Sequence, residues 1–288
     1  MLLLILCVLV NAFIGVIFKY FDRYEVEAFP AIVINYAVCV VTGSLVLGEF
    51  PIGPDLLSAP WLPYAVVLSS AFIGTFTLMA YTVRGFGIVV ATIFQKMSLL
   101  APTLLGILIF HESAGMIKII GLALAVASIF VITKSDDEPT TTPAYRLWIY
   151  PIVVFAGSCI IDVLLYYVNR ENIMDSGDIR FVITLFFCSF MIGSTVLLYQ
   201  LLTGKVRITK KTMIAGVGLG VPNLFSIYLL VLVLSQGLDG SVVFPINNVG
   251  ILAISAVLGI VIFGEKMGQT KLSGLAMAIA AIILIAYG

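Results

Sequence analysis

The chain consists of long apolar runs separated by short polar connections. Ten runs reach the roughly 20 mostly apolar residues that a membrane-spanning helix needs. They lie at approximately 2–20, 29–48, 62–83, 87–110, 115–133, 148–169, 179–202, 212–236, 240–264 and 268–287. The pattern therefore predicts an all-α integral membrane protein with ten transmembrane helices.

A segment that starts at the end of the fourth run recurs near the C-terminus. Residues 109–131 and 262–284 are identical at 11 of 23 positions, without a gap and at a constant offset of 153. The identical positions include three ordered pairs: Glu112 and Glu265, Lys118 and Lys271, and Gly121 and Gly274. Apolar helices share Leu and Ala by composition alone, but not an ordered set of Glu, Lys and Gly. We interpret the match as an internal duplication.

The duplication divides the chain into two halves. Residues 1–134 form the first five-helix repeat, 135–147 a linker and 148–288 the second five-helix repeat, together making a single transport domain. The linker contains most of the longest polar stretch of the chain, residues 134–143. Because each repeat has an odd number of helices, the second repeat must enter the membrane from the opposite side. Such an inverted repeat is typical of transporters that work by alternating access.

Composition supports a membrane protein and excludes several other classes. Of the 288 residues, 61% are hydrophobic and 10% are charged, whereas soluble domains carry about 25% charged residues. The net charge is zero, so the basic surface typical of nucleic-acid binding is missing. The four cysteines form no CxxC pair, and His111 is the single histidine. We therefore predict no enzymatic activity, no metal and no cofactor.

The ten helices, the five-plus-five duplication and the His-Glu and Gly-Glu turns at Glu112 and Glu265 resemble the drug/metabolite transporter superfamily. The similarity is greatest to its EamA-type ten-helix branch and covers essentially the whole chain. The resemblance implies a carrier of small organic solutes, since the family transports amino acids, purines, sugars, sugar phosphates and cationic drugs. The short connections are typical of a multi-pass protein of a prokaryotic inner (plasma) membrane.

The orientation in the membrane stays open. The linker side holds eleven Lys and Arg residues, and the side of the termini holds three. The positive-inside rule would then place both termini outside. The resemblance to the ten-helix family implies the reverse, with both termini in the cytoplasm.

Two charged residues lie inside predicted helices. Lys96 is about nine residues into the fourth helix, and Asp162 is deep in the sixth. A charge at the bilayer centre costs roughly 2.5–3.5 kcal/mol, so it is normally paired or faces water. Lys96 is a candidate for binding a carboxylate or phosphate of the solute, for proton exchange or for pairing with Asp162. Asp162 is a candidate counter-ion, proton carrier or binder of a substrate amine.

Amide side chains accompany these charges at similar depth. The predicted substrate-binding residues are Asn11, Gln95, Lys96, Asp162, Asn223, Asn247 and Asn248. The offset of 153 superposes Gln95 on Asn248, and prolines next to Asn223 and near Asn247 predict helix breaks. Amides offer two donors and an acceptor with two lone pairs, which suits a zwitterionic or hydroxylated solute. The alternative for each amide is an interhelical hydrogen bond worth about 0.6 kcal/mol.

These residues favour a secondary active transporter of a small polar metabolite by alternating access. The solute is an amino acid or another carboxylate- or phosphate-bearing compound, with protons as a candidate coupling ion. One alternative is a proton-coupled exporter of cationic or amphipathic drugs that uses Asp162. Another is a membrane enzyme or receptor-like scaffold without flux. Tyr20, Tyr166 and Tyr167 fit either an interfacial aromatic belt or a cation-binding cavity.

Overall fold

The computed structural model describes residues 2–133, 148–175, 177–264 and 268–287, which form helices and short connections without a strand. Their α-helices are α1 (Leu2–Arg23), α2 (Ala28–Leu47), α3 (Leu62–Lys96), α4 (Leu100–Leu108), α5 (Met116–Thr133), α6 (Ile149–Arg170), α7 (Ile179–Leu202), α8 (Lys210–Leu234), α9 (Gly240–Phe263) and α10 (Gln269–Tyr287). The predicted linker 135–147 and Glu265 lie outside the described residues.

Predicted and observed helices differ in one region. The sequence predicts separate helices at 62–83 and 87–110, but α3 runs unbroken from Leu62 to Lys96. A 3₁₀ turn over Met97–Leu99 follows, and α4 has nine residues. Glycines such as Gly85 weaken a helix by about 1 kcal/mol but keep its hydrogen bonds. Pro102 cannot donate to the carbonyl four residues earlier, which is where the 3₁₀ turn lies. The other predicted helices end within a turn of their predicted bounds.

The surface of the helices is suited to lipid rather than to water. Within the described ranges, eight helical stretches are long and apolar enough to cross a membrane. Two of them share α3: Leu62–Met79 lies within it, and Ala91–Leu108 runs from its end through the 3₁₀ turn and α4. The segments Met116–Ile132 of α5 and Leu272–Tyr287 of α10 are shorter apolar stretches. Large apolar side chains such as Leu45 and Leu202 are about four-fifths exposed, and extended apolar surfaces are rare on soluble monomers. The chain is therefore a multi-pass membrane protein.

The helices group into two compact units, each of which takes helices from both predicted halves. Unit 1 comprises Met1–Ile73 and Tyr167–Gln236, and unit 2 comprises Gly74–Tyr166 and Gly237–Gly288. Both α3 and α6 contribute to each unit. The units are defined by which helices pack together, whereas the predicted halves are defined by the sequence duplication. The two divisions need not coincide, and the proposed repeat boundaries remain a prediction.

In unit 1, α2 packs against both α7 and α8. Glycines permit the contact with α7. A Cβ at Gly43 would lie 2.6 Å from the Ile183 side chain, and one at Gly193 would lie 2.9 Å from the Val33 side chain. An offset of 150 relates Gly43 to Gly193 and also Val33 to Ile183. The two contacts are therefore reciprocal, and they make α2 and α7 antiparallel.

In unit 2, α5 and α10 form a second reciprocal pair. A Cβ at Gly121 would lie 2.9 Å from the Ile285 side chain, and one at Gly274 would lie 2.8 Å from the Ile132 side chain. The offset of 153 relates Gly121 to Gly274 and Ile132 to Ile285. The start of each helix meets the end of the other, so α5 and α10 are also antiparallel. In the same unit α9 packs against α4, α5 and α10.

Candidate functional site

The two units divide the seven predicted site residues between them. Asn11 on α1 and Asn223 on α8 belong to unit 1. The residues in unit 2 are Gln95, Lys96, Asp162, Asn247 and Asn248.

Four side chains of unit 2, Lys96, Ser98, Asp162 and Asn248, form a polar group that we call the lysine cluster. The ammonium of Lys96 donates a hydrogen bond to Oδ1 of Asn248 over 3.4 Å. The hydroxyl of Ser98 donates to Oδ2 of Asp162 over 2.6 Å, a length typical of a hydroxyl bound to a carboxylate. The Lys96 charge and the Asn248 amide also act on Asp162. The structure thus brings Lys96, Asp162 and Asn248 together.

Lys96 belongs to a different helix from the one predicted. It is the last residue of α3 and precedes the 3₁₀ turn that continues into α4, within the apolar stretch Ala91–Leu108. The turn brings Ser98, which is buried, onto Asp162. The sequence analysis missed Ser98, because serine is common in apolar helices and carries no periodic signal.

Asn248 contributes an unsatisfied donor to the lysine cluster. Its side chain is 6% exposed, and its Nδ2 has no hydrogen-bond partner of normal length among the described residues, although the amide acts on the Asp162 carboxylate at longer range. A buried donor without an acceptor costs about 1–3 kcal/mol, so such groups are uncommon and require an explanation. Its neighbour Asn247 is equally buried, and Gln95, next to Lys96, is partly buried.

In unit 1 the predicted site amides have protein partners. Nδ2 of Asn223 donates to Oδ1 of Asn35 over 3.2 Å, which links α8 to α2. The Cys39 thiol donates to the Gly220 carbonyl over 3.2 Å and reinforces the same helix contact. Nδ2 of Asn11 donates to the carbonyl of Cys7, one turn earlier in α1. For Asn223 the geometry is that of an interhelical hydrogen bond.

A second polar group of unit 2 was recognised in the sequence only as a repeat marker. Glu112 accepts hydrogen bonds from the amides of Gly240 (2.9 Å to Oε1) and Ser241 (2.8 Å to Oε2). The Tyr166 hydroxyl also donates to Oε1 of Glu112. We call these four residues the Glu112 anchor. Tyr166, for which the sequence left an interfacial belt or a cation-binding cavity open, is buried and bound to Glu112.

The electrostatics of the Glu112 anchor favour an ionised carboxylate. Burial raises the pKa of Glu112, but hydrogen bonds from Ser241, Tyr166 and the amide of Gly240 outweigh it and hold the pKa below its ordinary value. The N-terminus of α9 carries partial positive charge, which a carboxylate offsets. Lys118, 1% exposed, lies 3.8 Å from Asp239 at the same helix start.

His111, next to Glu112, has a counterpart in the second half. His111 has φ +53° and Gly264 has φ +65°, and the two are related by the offset of 153. Glycine adopts this left-handed backbone without steric cost, whereas a residue with a Cβ does so uncommonly. The two related positions therefore share a left-handed backbone conformation.

Comparisons with known proteins define the fold and leave the activity open. No protein-family model matches the chain. An uncharacterised protein of Haemophilus influenzae is 28% identical over an alignment of 294 positions, gaps included, which covers 99% of this chain and 97% of that protein. A crystal structure of a protein superposes with a TM-score of 0.78 at 13% identity, covering 99% of this chain and 96% of that one. The helical fold is thus shared over the full length.

Proposed function

We propose that the protein is a secondary active transporter of a small polar metabolite that bears a carboxylate or phosphate, an amino acid being the leading candidate. It works by alternating access in the inner (plasma) membrane. The observation that carries this proposal is the lysine cluster, in which a cation, a carboxylate and a buried amide meet between apolar helices. Charged groups cost several kcal/mol in a membrane and most often mark a path for ions or solutes.

The chemistry of the lysine cluster selects the solute. An acceptor oxygen of the solute would satisfy Nδ2 of Asn248 and would lie beside the positive charge of Lys96. A solute carboxylate provides such oxygens, and a solute amine would bind Asp162. In the structure Ser98 donates to Asp162, and the Lys96 ammonium donates to Asn248. Asn247 and Gln95 would orient the remaining polar groups of the solute, and protons are the candidate coupling ion.

Helix packing supports the proposed ten-helix inverted repeat. The reciprocal contacts of α2 with α7 and of α5 with α10 are those expected of helices exchanged by a two-fold operation. For antiparallel helices the two-fold axis is perpendicular to both, and therefore lies in the plane of the membrane. Inverted repeats of this kind support alternating access. Together with the Glu turns, they favour membership of the drug/metabolite transporter superfamily, in its EamA-type branch.

Solute flux into proteoliposomes tests the proposal. The panel comprises amino acids, organic acids, sugar phosphates and lipophilic cations, with currents and internal pH recorded. We expect Lys96→Ala to lower the flux of an anionic or zwitterionic solute at least tenfold, because the solute anion loses its counter-charge. Lys211→Ala, which removes an exposed lysine, is the matched control and should keep wild-type flux. Asn223→Ala should also transport, since its amide binds Asn35.

Other results would redirect the proposal. Cation-driven currents that survive Lys96→Ala and disappear in Asp162→Asn would favour the proton-coupled exporter of cationic drugs. If no solute of the panel evokes flux, although the purified protein is folded, a membrane protein without transport activity becomes the better interpretation.

A further inference from the structure

We infer that Glu112 is a positioning residue for the lysine cluster, because it fixes α9 against α4 so that Asn248 meets Lys96. The inference rests on the proposed function only for its kinetic readout. Its structural readout is independent of transport. Glu112 itself lies in the turn between α4 and α5, outside the lysine cluster.

The first step is the geometry of the Glu112 anchor. One carboxylate binds the amides of two successive residues, Gly240 and Ser241, through its two oxygens. Successive residues of an α-helix differ by about 100° in direction and 1.5 Å in height. Sliding or rotating α9 therefore breaks at least one of the two hydrogen bonds. The Glu112 anchor holds both the height and the rotation of this helix.

The second step is a closed path through unit 2. From Lys96 the chain runs through the 3₁₀ turn and α4 to Glu112. From Gly240, α9 returns over eight residues, or about 12 Å, to Asn248, which meets Lys96. The Glu112 anchor closes the path at one end, and the hydrogen bond between Lys96 and Asn248 closes it at the other. Between them α4 packs against α9.

The Glu112 anchor is buried and closely packed, which makes it rigid. Glu112 is 7% exposed, and the Tyr166 ring packs against Phe110 and Phe244 with centroids 5.4 and 6.0 Å away. A Cβ at Gly240 would lie 2.7 Å from the Tyr166 ring, so glycine allows the α9 start to approach it. Loosening this end should therefore reach Asn248.

A double-mutant cycle on the full-length protein in detergent tests the inference. Glu112→Gln replaces one acceptor oxygen by an amide group, and Asn248→Ala removes the partner of Lys96. Sites more than about 10 Å apart without shared partners normally contribute additively. We expect the change in Tm caused by Asn248→Ala to be at least halved in the Glu112→Gln background, because the contact is already loosened there. Glu171→Gln, an exposed glutamate, is the matched control and should give an additive cycle.

The kinetic readout uses whichever solute of the flux panel gives the largest signal. We expect Glu112→Gln to raise its KM severalfold at nearly constant maximal rate, and to have little further effect when Asn248 is already alanine. If Glu112→Gln does not fold, Tyr166→Phe removes one donor of the anchor but keeps the ring, and should couple to Asn248→Ala with the same sign.

The outcomes separate the two proposals. Two results would overturn the positioning role of Glu112. One is that the Tm shifts of the two substitutions are additive. The other is that Glu112→Gln changes KM by the same factor whether residue 248 is asparagine or alanine. If the Tm shifts are non-additive but no solute of the panel is transported, the positioning role of Glu112 is supported and the proposed transport function is not.

Discussion

Glu112 accepts three hydrogen bonds from two elements that are remote in sequence, the end of α6 and the start of α9. Hydrogen bonds to an ionised acceptor are stronger than those between neutral groups. The net contribution of the residue therefore depends on its charge, and so on pH.

The lowered pKa of Glu112 determines whether the protein becomes more or less stable as the pH falls. A carboxyl group whose pKa is lower in the folded state than in the unfolded state stabilises the fold at pH values above the unfolded pKa. This stabilisation is lost as the pH falls through the lower, folded pKa. We expect wild-type protein in detergent to melt above Glu112→Gln at neutral pH, and the gap in Tm to narrow as the pH falls below the ordinary glutamate pKa of about 4.3. Glu171→Gln should show no such gap, and a gap independent of pH would contradict an ionised Glu112.

At the scale of elements, one face of the glycine-rich stretch 216–220 of α8 lies close to α2. A Cβ at Gly216 would lie 2.8 Å from the Ala31 carbonyl oxygen, and one at Gly220 would lie 2.5 Å from Cβ of Val38. Gly218, between them in sequence, has nothing within 4 Å of the same position. Glycines four apart therefore lie on the contact face, the arrangement typical of close helix pairs in membranes.

This spacing predicts opposite effects for neighbouring substitutions. We expect Gly220→Ala to destabilise the protein by about 1–3 kcal/mol, because the added methyl group overpacks the contact with α2. Gly218→Ala should be neutral or stabilise by up to about 1 kcal/mol, because alanine is the better helix former. Thermal unfolding of both variants in one detergent measures the difference, and equal effects would show that this face does not limit the packing.

Helix ends also depend on more than composition. Gly85 and Arg84 indicated a connection that the structure replaces by a continuous α3, whereas Pro102 marks the region where the helix does change. A local pattern locates residues that weaken a helix. Packing then decides at which of these residues the helix ends.

At the scale of the whole molecule, the number of membrane crossings is the open quantity. The apolar segments of α5 and α10 are the shorter ones, at Met116–Ile132 and Leu272–Tyr287. Their lengths fall near the lower limit of about 17 residues for a spanning helix. Whether these two helices cross decides between ten crossings and eight.

The side of the membrane on which the predicted linker 135–147 lies distinguishes ten crossings from eight. With ten crossings, five helices precede the linker, so it lies on the opposite side from the N-terminus. If α5 and α10 do not cross, four crossings precede it and it lies on the same side. We expect peptide tags in the linker and at the N-terminus to be accessible from opposite sides of sealed, oriented vesicles. Tags accessible from one side would contradict the five-helix repeat, and the side of the N-terminal tag fixes the orientation.

The sequence by itself determined the features that arise from local physics. Apolar runs of about 20 residues have few alternatives to a membrane helix, because backbone polar groups must be satisfied within the segment. The helix bounds of α7, and of α9 to within one residue, follow from this rule. The offset of 153 likewise identified Gly121, Gly274 and the turn at Glu112 as related positions. Depth in an apolar helix singled out Lys96 and Asp162.

Only the tertiary structure decided which partners these residues have. Lys96 and Asn248 are 152 residues apart, and Glu112 and Gly240 are 128 residues apart. Such pairs depend on the height and rotation at which helices pack, which periodicity does not encode. For the same reason Asn223 and Asn248 look alike in sequence. In the structure Asn223 binds Asn35, whereas Nδ2 of Asn248 makes no hydrogen bond within the described residues.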